Sequence, residues 1–208
     1  MRLSFFSALY KIMQRDKNAV LLAGDVGAIT MDDIRTGFPD RCINVGIAEG
    51  NMMGVAAGMA MSGKTVFVFT FVPFVTMRCY EQLRIDVCLH NLSVKVIGVG
   101  PGVDYSTLGP THHGLEDIAL MRSLPSMQIL SPCDDTQATA FCQMAYSSPG
   151  PFYIRLDRNG QPLVYSTDQQ DFSQGLKTIK DGKDILILAT GKMVLTALSA
   201  TEACPNTL

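Results

Sequence analysis

Short apolar runs alternate along this chain with longer stretches whose apolar positions recur at helical spacing. Residues 19–23, 42–45, 66–69, 94–99, 127–130 and 152–156 read as strands, and the fourth runs into a glycine-rich loop over 100–114. Residues 48–61, 73–89, 116–122 and 134–145 read as helices, the last opened by Ser131-Pro132 and an Asp pair. At the start, Leu3, Phe5, Phe6, Leu9, Ile12 and Met13 fall on one stripe, the pattern of an amphipathic helix. Strands alternating with helices predict an α/β fold, a parallel sheet with helices on both faces. Ligands in such sheets sit outside the carboxyl ends of the strands, so the segments after the strands are the places to seek a site.

The pattern also divides the chain. Residues 1–160 carry the alternation and form one domain. Residues 161–183 are polar and rich in Pro, Gln, Asp and Gly, as a connection between domains would be. Residues 184–189 are a further apolar strand, followed by Gly191 and a helical stretch to Ala203. One strand and one helix cannot bury a core. Residues 184–208 therefore read as the start of a second α/β domain, cut short.

Composition adds a partner. The 208 residues are 47% hydrophobic but only 17% charged, below the usual quarter. A surface so poor in charge predicts obligate assembly, part of it hidden against another chain. The net charge is −2 with both signs interspersed, so a nucleic-acid surface is not expected. The longest apolar run, 65–77, is too short to span a bilayer and contains Pro73. The N-terminal stretch has no small-residue cleavage site and is not read as a signal peptide. Cys42, Cys79, Cys88, Cys133, Cys142 and Cys204 form no C-x-x-C pair and mostly sit in apolar stretches. They read as reduced thiols of a cytoplasmic protein rather than disulfides or zinc ligands. His90, His112 and His113 do not combine with them at metal-ligand spacing, so no metal ligands are expected on this chain.

Three segments carry candidate chemistry. In the helix over 48–61, Gly50, Gly54 and Gly58 fall four apart on one face. Each costs helix stability of about 1 kcal/mol relative to alanine, which suggests close approach of another backbone or a ligand. Glu49 opens that helix beside Ile47, Met52 and Met53, an apolar setting in which a carboxyl group can share a proton with a ligand nitrogen. Alone, it reads equally as a first-turn acid complementing the helix dipole. Phe71, Phe74 and Met77 follow a strand, with Phe74 and Met77 on one helical face, a flat apolar surface for an aromatic ring or simply core. His112 and His113 lie in the glycine-rich loop.

The run from Asn44-Val-Gly-Ile-Ala-Glu-Gly-Asn-Met-Met-Gly-Val-Ala-Ala-Gly-Met to Ala60 resembles the pyrimidine-binding domain of transketolases. The segment Thr70 to Arg84 and the loop Gly109-Pro-Thr-His-His-Gly114 agree with it, in the same order. The resemblance implies thiamine diphosphate as cofactor, with Glu49 bonding N1′ of its aminopyrimidine and switching it on for attack on a ketose carbonyl. It implies that Phe74 stacks on the pyrimidine and that Phe71, Met77 and Ile47 line its pocket, with Asp25 near the cofactor and dimer contact. His112 would face the thiazolium and the substrate oxygens, and Arg158 would lie near a sugar phosphate. Arg78, Tyr80, Glu81, Gln82 and Arg84 match the family through a subunit contact.

The family holds the cofactor's Mg²⁺ with Gly-Asp-Gly and a later Asn. Here only Gly24-Asp25-Val26 comes near that pattern, and it follows a different strand. The resemblance therefore implies the C-terminal subunit of a split transketolase. Its N-terminal partner would hold the metal and diphosphate, and the chain would pair with itself as a homodimer within a heterotetramer. Single-chain transketolases carry a further His upstream of Pro-Thr-His that residues 99–108 lack, a departure that bears on phosphate recognition. The other readings are a deoxyxylulose-phosphate synthase, a 2-oxo acid dehydrogenase β-type subunit, and a non-catalytic truncated binding module.

Overall fold

A computed structural model describes residues 1–26, 29–166 and 171–203. Six strands, β1 (Ala19–Ala23), β2 (Cys42–Asn44), β3 (Thr65–Phe71), β4 (Val94–Val99), β5 (Gln128–Leu130) and β6 (Phe152–Leu156), make one sheet in the order β2-β1-β3-β4-β6-β5. Every pairing is parallel. All residues of β1 and β4 are buried, because helices cover both faces. Such strands read as unbroken apolar runs instead of alternating ones.

On one face lie α1 (Arg2–Arg15) and α7 (Asp135–Ser147), packing Phe5, Phe6, Leu9, Ala138 and Cys142 against Leu21, Phe67, Phe69, Ile97 and Ile154. On the other, α3 (Glu49–Met61) packs Met52, Met53, Ala56 and Ala57 on Val20, Leu22, Val66 and Val68. Two short helices, α2 (Asp32–Gly37) and α6 (Asp117–Arg122), complete the cover. Lys95 on central β4 is fully buried; its Nζ donates to the carbonyls of Ser148 and Gly150, just past the end of α7, and burial pushes its pKa down to about 7.

The chain runs from β1 outward to β2, then crosses to β3 on the opposite side of β1. The sheet thus reverses its winding between β1 and β3, and at such a point the carboxyl ends leave a crevice. Asp25, Phe71 and Gly100 follow the strand ends that bound it.

Two expectations fail. The single helix over 73–89 is broken: α4 (Val72–Met77) stops at Arg78, α5 (Tyr80–Gln82) is a short turn, and Leu83–Cys88 winds in the wider π form. Thr76 Oγ1 donates to Val72 O at 2.7 Å and Cys79 Sγ to Val75 O at 3.1 Å. These side chains take the i−4 carbonyls that the helix backbone would use, which loosens the winding. Residues 184–189 form no strand, since no sheet edge among the described residues supplies their backbone partners. Leu186 there is 83% exposed.

The connection over 161–183 is partly fastened. The buried Asp134 carboxylate accepts from Gln137 N to cap α7, and from Val164 N and Tyr165 N with its other oxygen. Tyr165 and Phe172 join Cys133, Phe141 and Val194 of α8 (Met193–Ala203) in a satellite core. Cys204 and residues 167–170 lie outside the described residues. Cys42, Cys79, Cys88, Cys133 and Cys142 are free thiols. Among the described residues no helix is long and apolar enough to cross a membrane.

Candidate active site

Glu49 is the first residue of α3 and only 3% exposed. Its position in the first turn suits an acid, and Met52 and Met53 behind it are buried in the core. The sequence places only apolar neighbours beside this carboxylate; the fold adds a cation. Arg78 Nη1 lies 3.3 Å from Glu49 Oε1 and 3.4 Å from Oε2. The same guanidinium stacks over the Phe74 ring, with Cζ 3.9 Å from the centroid. Glu49 and Phe74 are brought together because α3 and the β3–α4 junction adjoin at the carboxyl end of the sheet.

Phe74 begins a continuous aromatic cluster. Its ring meets Phe71 at 5.5 Å and His112 at 5.1 Å. Phe71 in turn meets Tyr105 at 5.0 Å and His112 at 5.1 Å. These separations and steep interplanar angles are edge-to-face packing, the favoured arrangement of ring quadrupoles.

His112 and Tyr105 come from the loop after β4. Gly102 and Gly114 exchange two backbone hydrogen bonds of 2.8 Å and close the loop at its base. Gly100 has φ +78, and a Cβ there would lie 2.2 Å from the Tyr105 ring; one at Gly114 would lie 2.4 Å from Val72. Only glycine fits at either place, so the loop is pressed onto β4 and α4. His112 ends a short helical turn, its Nδ1 3.0 Å from Thr111 Oγ1. His113 is turned differently: its Nε2 is buried and has no hydrogen-bond partner among the described residues.

Two buried clusters brace this loop. Asp117, at the head of α6, accepts from Arg155 Nε at 2.6 Å and from Tyr153 OH at 2.7 Å. Asp104 accepts from the Arg158 backbone N–H at 3.0 Å and pairs with Lys192 ahead of α8. Beside it, Asp157 is buried, and its Oδ2 lacks a partner among the described residues. Burial, then the Asp104 charge, pushes its pKa up to about 6, against the pull of Lys192 and Arg155. Arg158 lays its guanidinium 5.0 Å from the Tyr105 ring centroid.

Of the residues singled out in the sequence, Glu49, Phe71, Phe74, His112 and Arg158 are thus linked through Arg78 and Tyr105. Met77 ends α4, one turn from Phe74, and is partly exposed, as is Ile47, at 73%. Asp25 sits past β1 at φ 53, and its Oδ1 accepts from Asn44 Nδ2 at 2.8 Å. The close approach expected along the glycine face occurs only at Gly50, where a Cβ would lie 3.6 Å from Gln82; Gly54 and Gly58 face open space. Tyr105 went unnoticed in the sequence, and Arg78 was assigned only to a subunit contact. Among the described residues, no group of three or more His, Cys, Asp or Glu is placed to hold a metal ion.

A family profile described as "Transketolase, pyrimidine binding domain" matches residues 1–162. This chain belongs to the transketolase family. One of the two subunits of an apulose-4-phosphate transketolase from Phocaeicola vulgatus is 38% identical over 201 residues, 96% of this chain and 64% of that protein. A solved split-gene transketolase, described as an inactive beta4 tetramer, superposes with TM-score 0.87 at 37% identity over 97% of this chain and 66% of that one. A 1-deoxy-D-xylulose-5-phosphate synthase of Geobacter sulfurreducens is 36% identical over 168 residues, 79% of this chain but 26% of that enzyme. This transketolase-family chain spans less than two thirds of the length of each.

Proposed function

We propose that this chain is the pyrimidine-binding subunit of a split, thiamine diphosphate-dependent transketolase that moves a two-carbon ketol unit between sugars. One observation carries the reading: a buried carboxylate, Glu49, and an aromatic face, Phe74, are gripped together by one planar cation. An acceptor edge-on and a ring face-on are what an aminopyrimidine needs. The donor set fits that half of the cofactor.

When bound, thiamine diphosphate supplies a carbon nucleophile that can carry the ketol unit. In this reading Glu49 holds and moves a proton at N1′ of the aminopyrimidine. Phe74 offers its ring face, while Phe71, Met77 and Ile47 exclude water around it, and Asp25 sits toward the cofactor's edge. His112 donates to oxygen charge that develops on the substrate, a role suited to a positioned donor. Arg158 faces the sugar's phosphate. The diphosphate and Mg²⁺ are held mainly by an N-terminal subunit carrying the other half of the site. The exposed face of Gly54, Val55, Gly58 and Met61 on α3 supports self-association as well, two copies of each chain forming the enzyme. Residues 184 onward belong to a further α/β domain.

The synthase relative supports a second reading of the same site, in which pyruvate is the donor. Co-purification with the diphosphate-binding subunit followed by assay with a ketose phosphate donor and an aldose acceptor tests the first. Ketol transfer by the mixture, and by neither chain alone, is expected. Turnover of pyruvate without ketol transfer would favour the synthase, and activity of the isolated chain would end the split-subunit reading.

A further inference from the structure

The Glu49–Phe74 clamp is already filled, by a side chain of this protein. The Arg78 guanidinium reaches both Glu49 oxygens at 3.3 and 3.4 Å while its Cζ lies 3.9 Å from the centre of the Phe74 ring. A guanidinium is planar, delocalised and cationic, and it presents N–H donors in its plane. A 4-aminopyrimidine that shares a proton with a carboxylate has the same description: a flat amidine edge with N–H donors and a π face. One carboxylate edge and one ring face cannot serve both groups in full.

We infer that Arg78 is a built-in stand-in for the aminopyrimidine, closing the clamp in the free chain and yielding it when the cofactor enters. This rests on the reading of Glu49 given above and adds a competitor to it. The Arg78 side chain is half exposed, whereas Glu49 is buried, so the arginine has solvent to withdraw into and the carboxylate does not. Arg78 also stands where α4 ends and the winding changes toward α5 and the π turn, a junction at which a small backbone change re-aims a side chain. Without Arg78 the free chain would bury a carboxylate with no cation beside it, an arrangement that costs stability. The arginine thus keeps the empty site folded and compact, and it acts on ligand affinity through Glu49.

The test uses the full chain and two small probes, 4-amino-2-methylpyrimidine and methylguanidinium, titrated by ligand-observed NMR. Arg78→Met keeps length and bulk but removes the charge, and should bind the pyrimidine about 5- to 10-fold more tightly than the unmodified chain. That ratio follows from losing one half-exposed ion pair and one cation–π stack. Arg78→Lys, which keeps the charge but not the planar fork, should fall between the two. Methylguanidinium should displace the pyrimidine from Arg78→Met and restore the lower affinity. The gain should vanish when Glu49→Gln is combined with Arg78→Met, since the two groups meet at that carboxylate. If Arg78→Met binds the pyrimidine no better than the unmodified chain, or binds none, the inference is overturned. Should Glu49→Gln alone still weaken pyrimidine binding in that case, the reading of Glu49 stands without it. If Glu49→Gln changes binding in neither background, both fall.

Discussion

His112 and Phe74 pack edge against face, with ring centroids 5.1 Å apart at 65°. This contact joins two segments that the chain keeps well apart, the β3–α4 junction and the loop after β4. It places a donor-bearing imidazole beside the ring that the proposed reading gives to the pyrimidine. The loop owes its place to Gly100 and Gly114, which let Tyr105 and Val72 pack where a Cβ would stand.

Phe74→Leu should therefore act on cofactor binding before chemistry. Replacing a ring by an aliphatic side chain removes an aromatic contact of about 0.5–1.5 kcal/mol. The thiamine diphosphate Kd of the assembled enzyme, measured by calorimetry, is expected to rise roughly 3- to 10-fold. Turnover at saturating cofactor should change less. A variant with normal Kd and collapsed kcat would move Phe74 out of the cofactor face.

The two neighbouring histidines should separate. His112→Ala is expected to lower kcat by about 10²-fold or more, with little change in cofactor Kd, because it removes a donor used as charge develops. His113→Ala should do less. Steady-state kinetics on both variants decides it, and a larger loss at His113 would shift the role to the residue whose Nε2 is buried without a partner among the described residues.

Asp117 ties α6 to β6 through Arg155 and Tyr153, beneath the His112 loop. Asp117→Ala would leave the largely buried Arg155 guanidinium uncompensated, and losses of about 3–5 kcal/mol follow when one member of a buried pair is removed. Urea unfolding should show that loss as a lower midpoint. Tyr153→Phe should cost about 1 kcal/mol, the worth of one hydrogen bond. Equal small effects from both would mean that the carboxylate is not the hub.

Asp157 gives stability a pH dependence of definite sign. Its folded pKa, about 6, lies above the ordinary 3.8, so folding favours the neutral carboxyl. That contribution is fully present below about pH 4 and is lost as pH rises through about 6. Asp157→Asn should be near neutral in effect at pH 4 and stabilising at pH 8, by an amount on the order of 1 kcal/mol. Thermal melts at the two pH values read the difference; destabilisation at pH 8 would show that the Asp157 charge is needed.

The strands were legible because parallel strands covered on both faces leave unbroken apolar runs, and β1, β4 and β6 begin and end where those runs do. The break after Met77 was not, because it depends on Thr76 and Cys79 turning their side chains back on the helix carbonyls. A periodic apolar pattern does not record that choice. Glu49 could be singled out from its own neighbours in sequence. Its cation could not, since Arg78 lies 29 positions away and reaches it only once α3 and α4 share the carboxyl end of the sheet. Tyr105 hid in a glycine-rich loop that suggests freedom, whereas Gly100 is there to let its ring pack. The apolar stretch at 184–189 has strand composition but no neighbouring strand to pair with among the described residues, and pairing is what makes a strand.

Exchange of the C2 proton of thiamine diphosphate for deuterium, followed by quenched-flow NMR in the assembled enzyme, addresses Glu49 most directly. The rate reports proton transfer assisted from N1′ and needs no sugar. Glu49→Gln keeps the shape of the side chain but cannot hold the proton. It should slow exchange by at least about 10²-fold, the scale of lost general acid–base assistance, while the fold and the bound partner remain. Exchange at the unmodified rate in Glu49→Gln, with cofactor bound, would contradict the assignment of Glu49 as the activating carboxylate.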